Sequence, residues 1–173
     1  MSGSQRDSAG VAWRIYDNLN DWTARVDTKA SIVLAVEAAS LALVVGLGGE
    51  GSALDPGSGL ARWSLGIGVL LLCCGVVFAG LVVLPQLRGW RLSRESKKNF
   101  VYFGHIRSWD PDALAKAIGS DPDMLDQVSR QVVIMSKIVW LKHIWLQWSL
   151  YSLIAALFFV VPVYFLGLVG GAT

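Results

Sequence analysis

Three apolar runs divide this chain, and each is long enough to cross a membrane. About 18 or more consecutive apolar residues match the thickness of a bilayer core, and the chain reaches that length three times. A turn-rich loop separates the first two runs, whereas a long polar insert separates the second from the third. The pattern predicts an all-α membrane protein with three transmembrane helices. The expected segments are a cytosolic amphipathic helix at 1–28, spans at 29–48, 63–85 and 144–168, an external loop at 49–62, a basic cytosolic module at 86–143 and an external tail at 169–173.

The segment before the first run predicts a helix that packs on another surface and does not cross the membrane. Its apolar residues recur every three or four positions, as one stripe of a helix requires, and charged residues take the other positions. The stripe consists of Val11, Ile15, Leu19, Trp22 and Val26.

The polar insert is expected to be small and mostly helical. Asp110–Pro111 and Asp121–Pro122 each combine a capping residue with a proline that suits the first helical turn, so each predicts a helix start. The second helix should continue from about Pro122 through the third span, because no helix breaker occurs before Pro162. Residues 99–106 are rich in aromatic and β-branched side chains and predict a short strand.

The distribution of basic residues predicts the orientation in the membrane. Four of the fifteen lie in the N-terminal flank up to Lys29, one lies in the first loop, and ten lie in the insert. Because cytoplasmic flanks carry an excess of Lys and Arg, we expect the N-terminus and the insert to be cytoplasmic and the C-terminus to be outside.

One charged residue, Glu37, lies inside the first apolar run. A lone carboxylate in hydrocarbon is costly, so it should face a partner or a water-filled cavity, or be held as a neutral acid. Gln147 and Tyr151 lie at nearly the same depth on the third span, and we expect one of them to satisfy Glu37 in the resting state. These three residues are candidates for membrane gating. A purely packing role for Glu37 is the alternative.

Small residues in the first span predict assembly. Alanines recur there at the spacing that lets helices approach closely in lipid, namely at Ala35, Ala38, Ala39 and Ala42. Three spans cannot enclose a conduit alone, so we expect a homo-oligomer.

The chain shows no catalytic signature. It has two histidines, and it contains no H-E-x-x-H pattern, no phosphate-binding glycine–lysine loop and no G-x-S-x-G elbow. We therefore expect no enzyme activity, no metal site and no cofactor, and an intramembrane enzyme is the least favoured class.

Two segments resemble the transmembrane effector family of Pycsar antiphage defence systems. The run WTARVDTKASIVLAVEAA, with Asp27, Lys29 and Ala30 leading into the first span, is similar to the start of these proteins. VYFGHIRS, followed by a short helix and a long helix entering the last span, is similar as well. The resemblance implies a multi-pass protein of the bacterial inner membrane, encoded beside a cytidylate or uridylate cyclase. Cyclic CMP or cyclic UMP would activate it, and it would impair membrane integrity and cause abortive infection.

The resemblance brings no nucleotide-binding residues with it, but the insert contains suitable residue types. Arg and Lys donate charge-assisted hydrogen bonds to phosphate, and aromatic side chains stack on a base. The candidate ligand contacts are Arg91, Arg94, Tyr102, His105 and Arg107. An ordinary structural role is the favoured alternative for His105, and anchoring to anionic lipid headgroups is the favoured alternative for most basic residues beside the membrane.

One other function fits the same pattern less specifically. The chain could be a constitutive membrane interaction or scaffold protein whose basic module docks a partner.

The expected partners of an effector are the lipid bilayer, the cyclic nucleotide, further copies of the chain and a paired cyclase, with no nucleic acid.

Overall fold

The computed structural model describes residues 3–48, 59–85, 106, 109–120 and 124–170. Four helices occupy these ranges and no strand occurs in them, which confirms the prediction of an all-α fold. The helices are α1 (Gly3–Gly46), α2 (Gly59–Val83), α3 (Pro111–Ser120) and α4 (Met124–Gly170). The strand predicted at 99–106 lies outside the described residues except for Ile106, which is helical.

Two of the helices are much longer than a membrane is thick. Helix α1 has 44 residues and α4 has 47, which at about 1.5 Å per residue correspond to about 66 and 70 Å. The amphipathic segment and the first span are therefore one helix. The third span is likewise continuous with the helix before it, and Pro162 does not interrupt α4.

Helices α1, α2 and α4 are each long and apolar enough to cross a membrane. Their large apolar side chains point outward: Phe158, Leu166 and Ile154 are 76%, 69% and 64% exposed. Two polar side chains point inward, since Glu37 and Ser149 are fully buried. Apolar outside and polar inside is the arrangement that a bilayer favours, because lipid solvates the apolar surface and leaves polar groups to pair with one another.

The buried positions of these three helices follow a seven-residue repeat. Such a repeat keeps one seam of each helix in contact with its neighbours at a shallow crossing angle. Helix α1 has two such series, Ala12, Leu19 and Val26, and Ala30, Glu37 and Val44. Helix α2 also has two, Leu65, Leu72 and Ala79, and Gly68, Gly75 and Val82. Helix α4 has the series Lys142, Ser149, Ala156 and Val163.

The chain divides into two compact units. The first comprises Met1–Ala24 and Pro85–Leu141, and the second comprises Arg25–Leu84 and Lys142–Thr173. In the first unit, Asp110 caps α3 by accepting hydrogen bonds from the backbone N–H groups of Asp112 and Ala113 at 3.1 and 3.2 Å. This is the helix start that the Asp–Pro pair predicted.

The predicted apolar stripe of α1 describes its buried face only in part. Leu19 and Val26 are buried, but Val11, Ile15 and Trp22 are exposed. The buried face follows the seven-residue repeat instead, which brings Ala12 inward. A stripe drawn through the largest side chains missed this small residue.

The second unit is a three-helix bundle with two apolar clusters. One contains Val26, Ala30, Val82 and Leu146, and the other contains Val44, Leu65, Leu72, Ala156 and Val163. Residue numbers rise together along α1 and α4 from the first cluster to the second and fall along α2. Helices α1 and α4 are thus parallel and α2 is antiparallel to both. Glu37 lies between the two clusters.

Candidate functional site

Glu37 lies at the centre of the second unit, and its side chain is fully buried. It precedes the end of α1 at Gly46 by nine residues, or about 14 Å along the helix axis. That distance places its carboxyl near the middle of a hydrocarbon layer about 30 Å thick. The Ser149 hydroxyl of α4 donates a hydrogen bond to Glu37 Oε1 at 2.8 Å.

Gly75 of α2 provides the third side of this site. A Cβ atom built on Gly75 would overlap Glu37 Oε1 and would lie 2.8 Å from its Cδ atom. The three nearest heavy atoms all belong to the Glu37 carboxyl group. The carboxyl therefore rests directly on the backbone of α2, and only glycine leaves room for it.

The second carboxyl oxygen, Oε2, is buried and has no hydrogen-bond partner within the described ranges. Most buried polar atoms in proteins have a partner, so each exception requires an explanation. A buried group without a partner costs about 1–3 kcal/mol. Glu37 is thus stabilised at one oxygen and left unsatisfied at the other.

The prediction that Gln147 or Tyr151 satisfies Glu37 is wrong. Both side chains are exposed, and Ser149 makes the hydrogen bond instead. Successive helical residues are about 100° apart, so Gln147 and Tyr151 share one face of α4 while Ser149 lies on the opposite one. The three residues have similar depth, but only Ser149 faces the bundle. A role of Gln147 and Tyr151 in gating stays a prediction.

A partly buried ion pair lies at one end of the same bundle. Lys142 Nζ of α4 contacts Asp27 Oδ1 of α1 at 2.5 Å, and the side chains are 6% and 37% exposed. Asp27 lies ten residues before Glu37, or about 15 Å along α1, near the edge of the hydrocarbon layer. Asp27 and the fully buried Ala30 belong to the segment that carried the family resemblance, whereas Lys29 is exposed.

The first unit contains a buried amide. Gln131 is 2% exposed, and its Nε2 atom has no hydrogen-bond partner in the part of the chain that the structure describes. An amide nitrogen carries two donors, so this group is available to an acceptor. The predicted ligand contacts Arg91, Arg94, Tyr102, His105 and Arg107 all lie outside the described residues.

Sequence reasoning missed Ser149, Gly75 and the pairing of Asp27 with Lys142. The signal was present as a spacing: Lys142 and Ser149 are the polar members of a seven-residue repeat that continues through Ala156. No cluster of three His, Cys, Asp or Glu residues that could hold a metal ion occurs among the residues described.

Known proteins give a match along most of the chain. A family model described as a Pycsar effector protein domain matches residues 11–169. The Pycsar effector protein PtPycTM of Propioniciclava tarda is 25% identical over 142 residues, which are 78% of this chain and 67% of that protein. No solved structure matches the chain.

Proposed function

Because this chain belongs to the Pycsar effector protein family, a membrane effector family of antiphage defence, we propose that a cyclic pyrimidine mononucleotide activates it. Cyclic CMP or cyclic UMP, made by a paired cyclase during infection, is the proposed ligand. The proposed effect is a loss of inner-membrane integrity, which ends the infection by abortive death of the cell. The chain itself is proposed to carry out no catalysis.

Glu37 is the observation that best supports a membrane effect. An ionisable residue inside a membrane is costly, and such residues usually belong to pathways for ions, protons or water. Here the carboxyl is buried between three helices with one oxygen unsatisfied. A protein that only anchored a module to the membrane would be more stable with an apolar residue at this position.

The basic insert is the proposed sensor, with the N-terminus and the insert on the cytoplasmic side. Arg91, Arg94 and Arg107 would bind the phosphate, and Tyr102 or His105 would contact the base. Gln131 adds a donor of the right kind, because its Nε2, which has no partner in the described ranges, could donate to the O2 carbonyl that cytosine and uracil share. Several copies of the chain would assemble in the membrane.

The cellular test uses a membrane-potential dye in bacteria that express the chain with a cytidylate or uridylate cyclase. We expect depolarisation with at least one of the two active cyclases. The controls are a catalytically dead cyclase and an adenylate cyclase, which should leave the membrane potential unchanged. A membrane-inserted chain that never depolarises cells, or that does so with every control, would refute the proposal.

Ligand binding is tested on the full chain in lipid nanodiscs. Added cyclic CMP or cyclic UMP should protect part of Arg88–His143 from hydrogen exchange. Charge reversal at Arg91, Arg94 or Arg107 should weaken binding more than the matched reversal at Arg6. Absence of binding together with constant attachment to a cytosolic partner would favour the alternative of a constitutive scaffold protein.

A further inference from the structure

We propose that Glu37, Ser149 and Gly75 form a lock that holds α1, α2 and α4 closed in the second unit, and that activation opens it. We call these three residues the Glu37 lock. The inference rests on the proposed function, because it describes the resting state of an effector that is later activated. It assigns roles to Ser149 and Gly75 that neither the resemblance nor the family match supplies.

The first step of the argument is the register of the three helices. Seven residues before the lock lie Ala30 on α1 and Lys142 on α4, and Val82 occupies the equivalent level of α2. Seven residues after it lie Val44 and Ala156, opposite Gly68. Glu37, Gly75 and Ser149 therefore occupy one level of a regular bundle, with apolar clusters on both sides.

The second step is the specificity of the contacts. Ser149 donates to Glu37 Oε1 at 2.8 Å, and Gly75 leaves no space between its backbone and the carboxyl. A single polar level inside an apolar seam fixes the alignment of helices, because any shift separates donor from acceptor. Rotation or sliding of α4 would break the hydrogen bond from Ser149 and leave both carboxyl oxygens without a partner among the described residues.

The third step is the unsatisfied oxygen. Glu37 Oε2 has no hydrogen-bond partner among the residues that the structure describes, and water or another polar group that reaches this level of the bundle would supply one. The closed state therefore lacks a stabilisation that a hydrated open state would have. This reduces the free-energy difference between the closed and open states. A ligand that binds the open state modestly better than the closed state would then shift the population toward the open state.

The test measures basal depolarisation in cells that carry no cyclase. Ser149→Ala removes the donor, and we expect basal depolarisation to rise about fivefold, the population shift that accompanies the loss of about one hydrogen bond. Gly75→Ala should have the same effect, because its methyl group displaces the carboxyl. The matched controls are Ser152→Ala, also buried on α4, and Gly66→Ala, whose Cβ atom would meet nothing within 4 Å. Both controls should behave like the parent.

A double variant separates the lock from general loosening of the bundle. In the proposed open state Glu37 ionises and draws water into the bundle, which is what produces the leak. Glu37→Gln keeps the shape of the side chain and can still accept the Ser149 hydrogen bond, but it cannot ionise. It should insert normally and lose the cyclase-dependent depolarisation. Ser149→Ala combined with Glu37→Gln should be silent without a cyclase, whereas a merely loosened bundle would leak as Ser149→Ala does.

Membrane fractionation reports whether each variant inserts. If Ser149→Ala does not insert, Ser149→Cys replaces it, because a thiol has nearly the same volume and is a weak donor; its leak should be smaller but above that of the parent. Inserted Ser149 and Gly75 variants that leak no more than their controls would overturn the lock. Failure of the parent to respond to any pyrimidine cyclase would refute only the proposed function, since the basal leak is measured without one.

Discussion

At the residue scale, the buried amide of Gln131 lowers the stability of the ligand-free protein and offers a hydrogen-bond donor to a ligand. Its amide nitrogen is buried without a partner in the ranges described, and such a group costs about 1–3 kcal/mol. Methionine has a similar volume and no donor. We expect Gln131→Met to stabilise the ligand-free protein by about 1 kcal/mol and to weaken binding of cyclic CMP or cyclic UMP about tenfold, as the loss of about 1.4 kcal/mol implies.

Thermal unfolding in detergent and ligand titration of the same preparation check this prediction. Gln127→Met is the control, because Gln127 lies one turn away on α4 and is partly exposed. It should leave ligand binding unchanged. If Gln131→Met lowers the unfolding temperature and binds ligand as the parent does, the amide is an ordinary structural group.

Glu37 shows how far sequence reasoning reaches for a single residue. Its position in an apolar run was sufficient to identify it as exceptional, because charge in hydrocarbon is rare whatever the fold. Its partner depended on which face of α4 points inward. The depth of a residue in the membrane follows from counting residues along a span, but the direction in which its side chain points does not. For this reason the sequence predicts Gln147 and Tyr151, whereas Ser149 makes the contact.

At the scale of helices, the same limit explains which parts of the bundle could be predicted. The continuity of α4 followed from the absence of helix breakers before Pro162. For α1 the sequence indicated an amphipathic helix and a span, and the structure joins them into one helix. The inward faces did not, because a transmembrane helix is apolar all round and hydrophobic periodicity is weak there. The inward face carries particular residues such as Gly75 and Lys142, which contact side chains of the neighbouring helices.

The ion pair between Asp27 and Lys142 is expected to fix α1 against α4. Asp27→Lys places two cations together and should destabilise the second unit by several kcal/mol, toward the lower end of the about 3–5 kcal/mol typical of a fully buried pair, because Asp27 is partly exposed. Lys142→Asp should have a similar effect. Both changes should reduce the amount of correctly inserted protein in membrane fractions.

The charge-swapped double variant, Asp27→Lys with Lys142→Asp, provides the control for that pair. It restores opposite charges at the same positions, so inserted protein should recover relative to either single variant. The matched surface pair is Arg130 with Asp126, whose side chains are 70% and 60% exposed. Its reversal should have little effect, because exposed pairs contribute about 0–1 kcal/mol. Recovery no better than the worse single variant would show that the two charges act independently.

At the scale of the whole molecule, the second unit closes its polar groups inside three helices and presents apolar side chains outward. Parallel α1 and α4 with antiparallel α2 fit three consecutive crossings of a membrane. The direction of those crossings rests on the distribution of basic residues alone, and the N-in orientation stays a prediction. A single copy fills its core with side chains such as Leu72 and Ala156, and protein cores packed in this way hold few voids larger than a water molecule.

A leak therefore requires either several copies or a large rearrangement, and the surface of α1 favours several copies. Ala35, Ala38, Ala39 and Ala42 all point away from the bundle, in contrast to Glu37 on the same helix. Small residues on a lipid-facing surface allow a second helix to approach closely. We predict a homo-oligomer that cross-linking in native membranes detects as species larger than the monomer.

The position of the contact is tested with Ala39→Phe. The large ring should hold neighbouring copies apart, so the cross-linked fraction should fall, and cyclase-dependent depolarisation should fall with it. Leu43→Phe is the control, because Leu43 is 60% exposed on α1 and is already a large residue. It should cross-link like the parent. If the parent yields only monomer, with and without an active cyclase, the protein acts as a single three-helix unit and the oligomeric conduit is excluded.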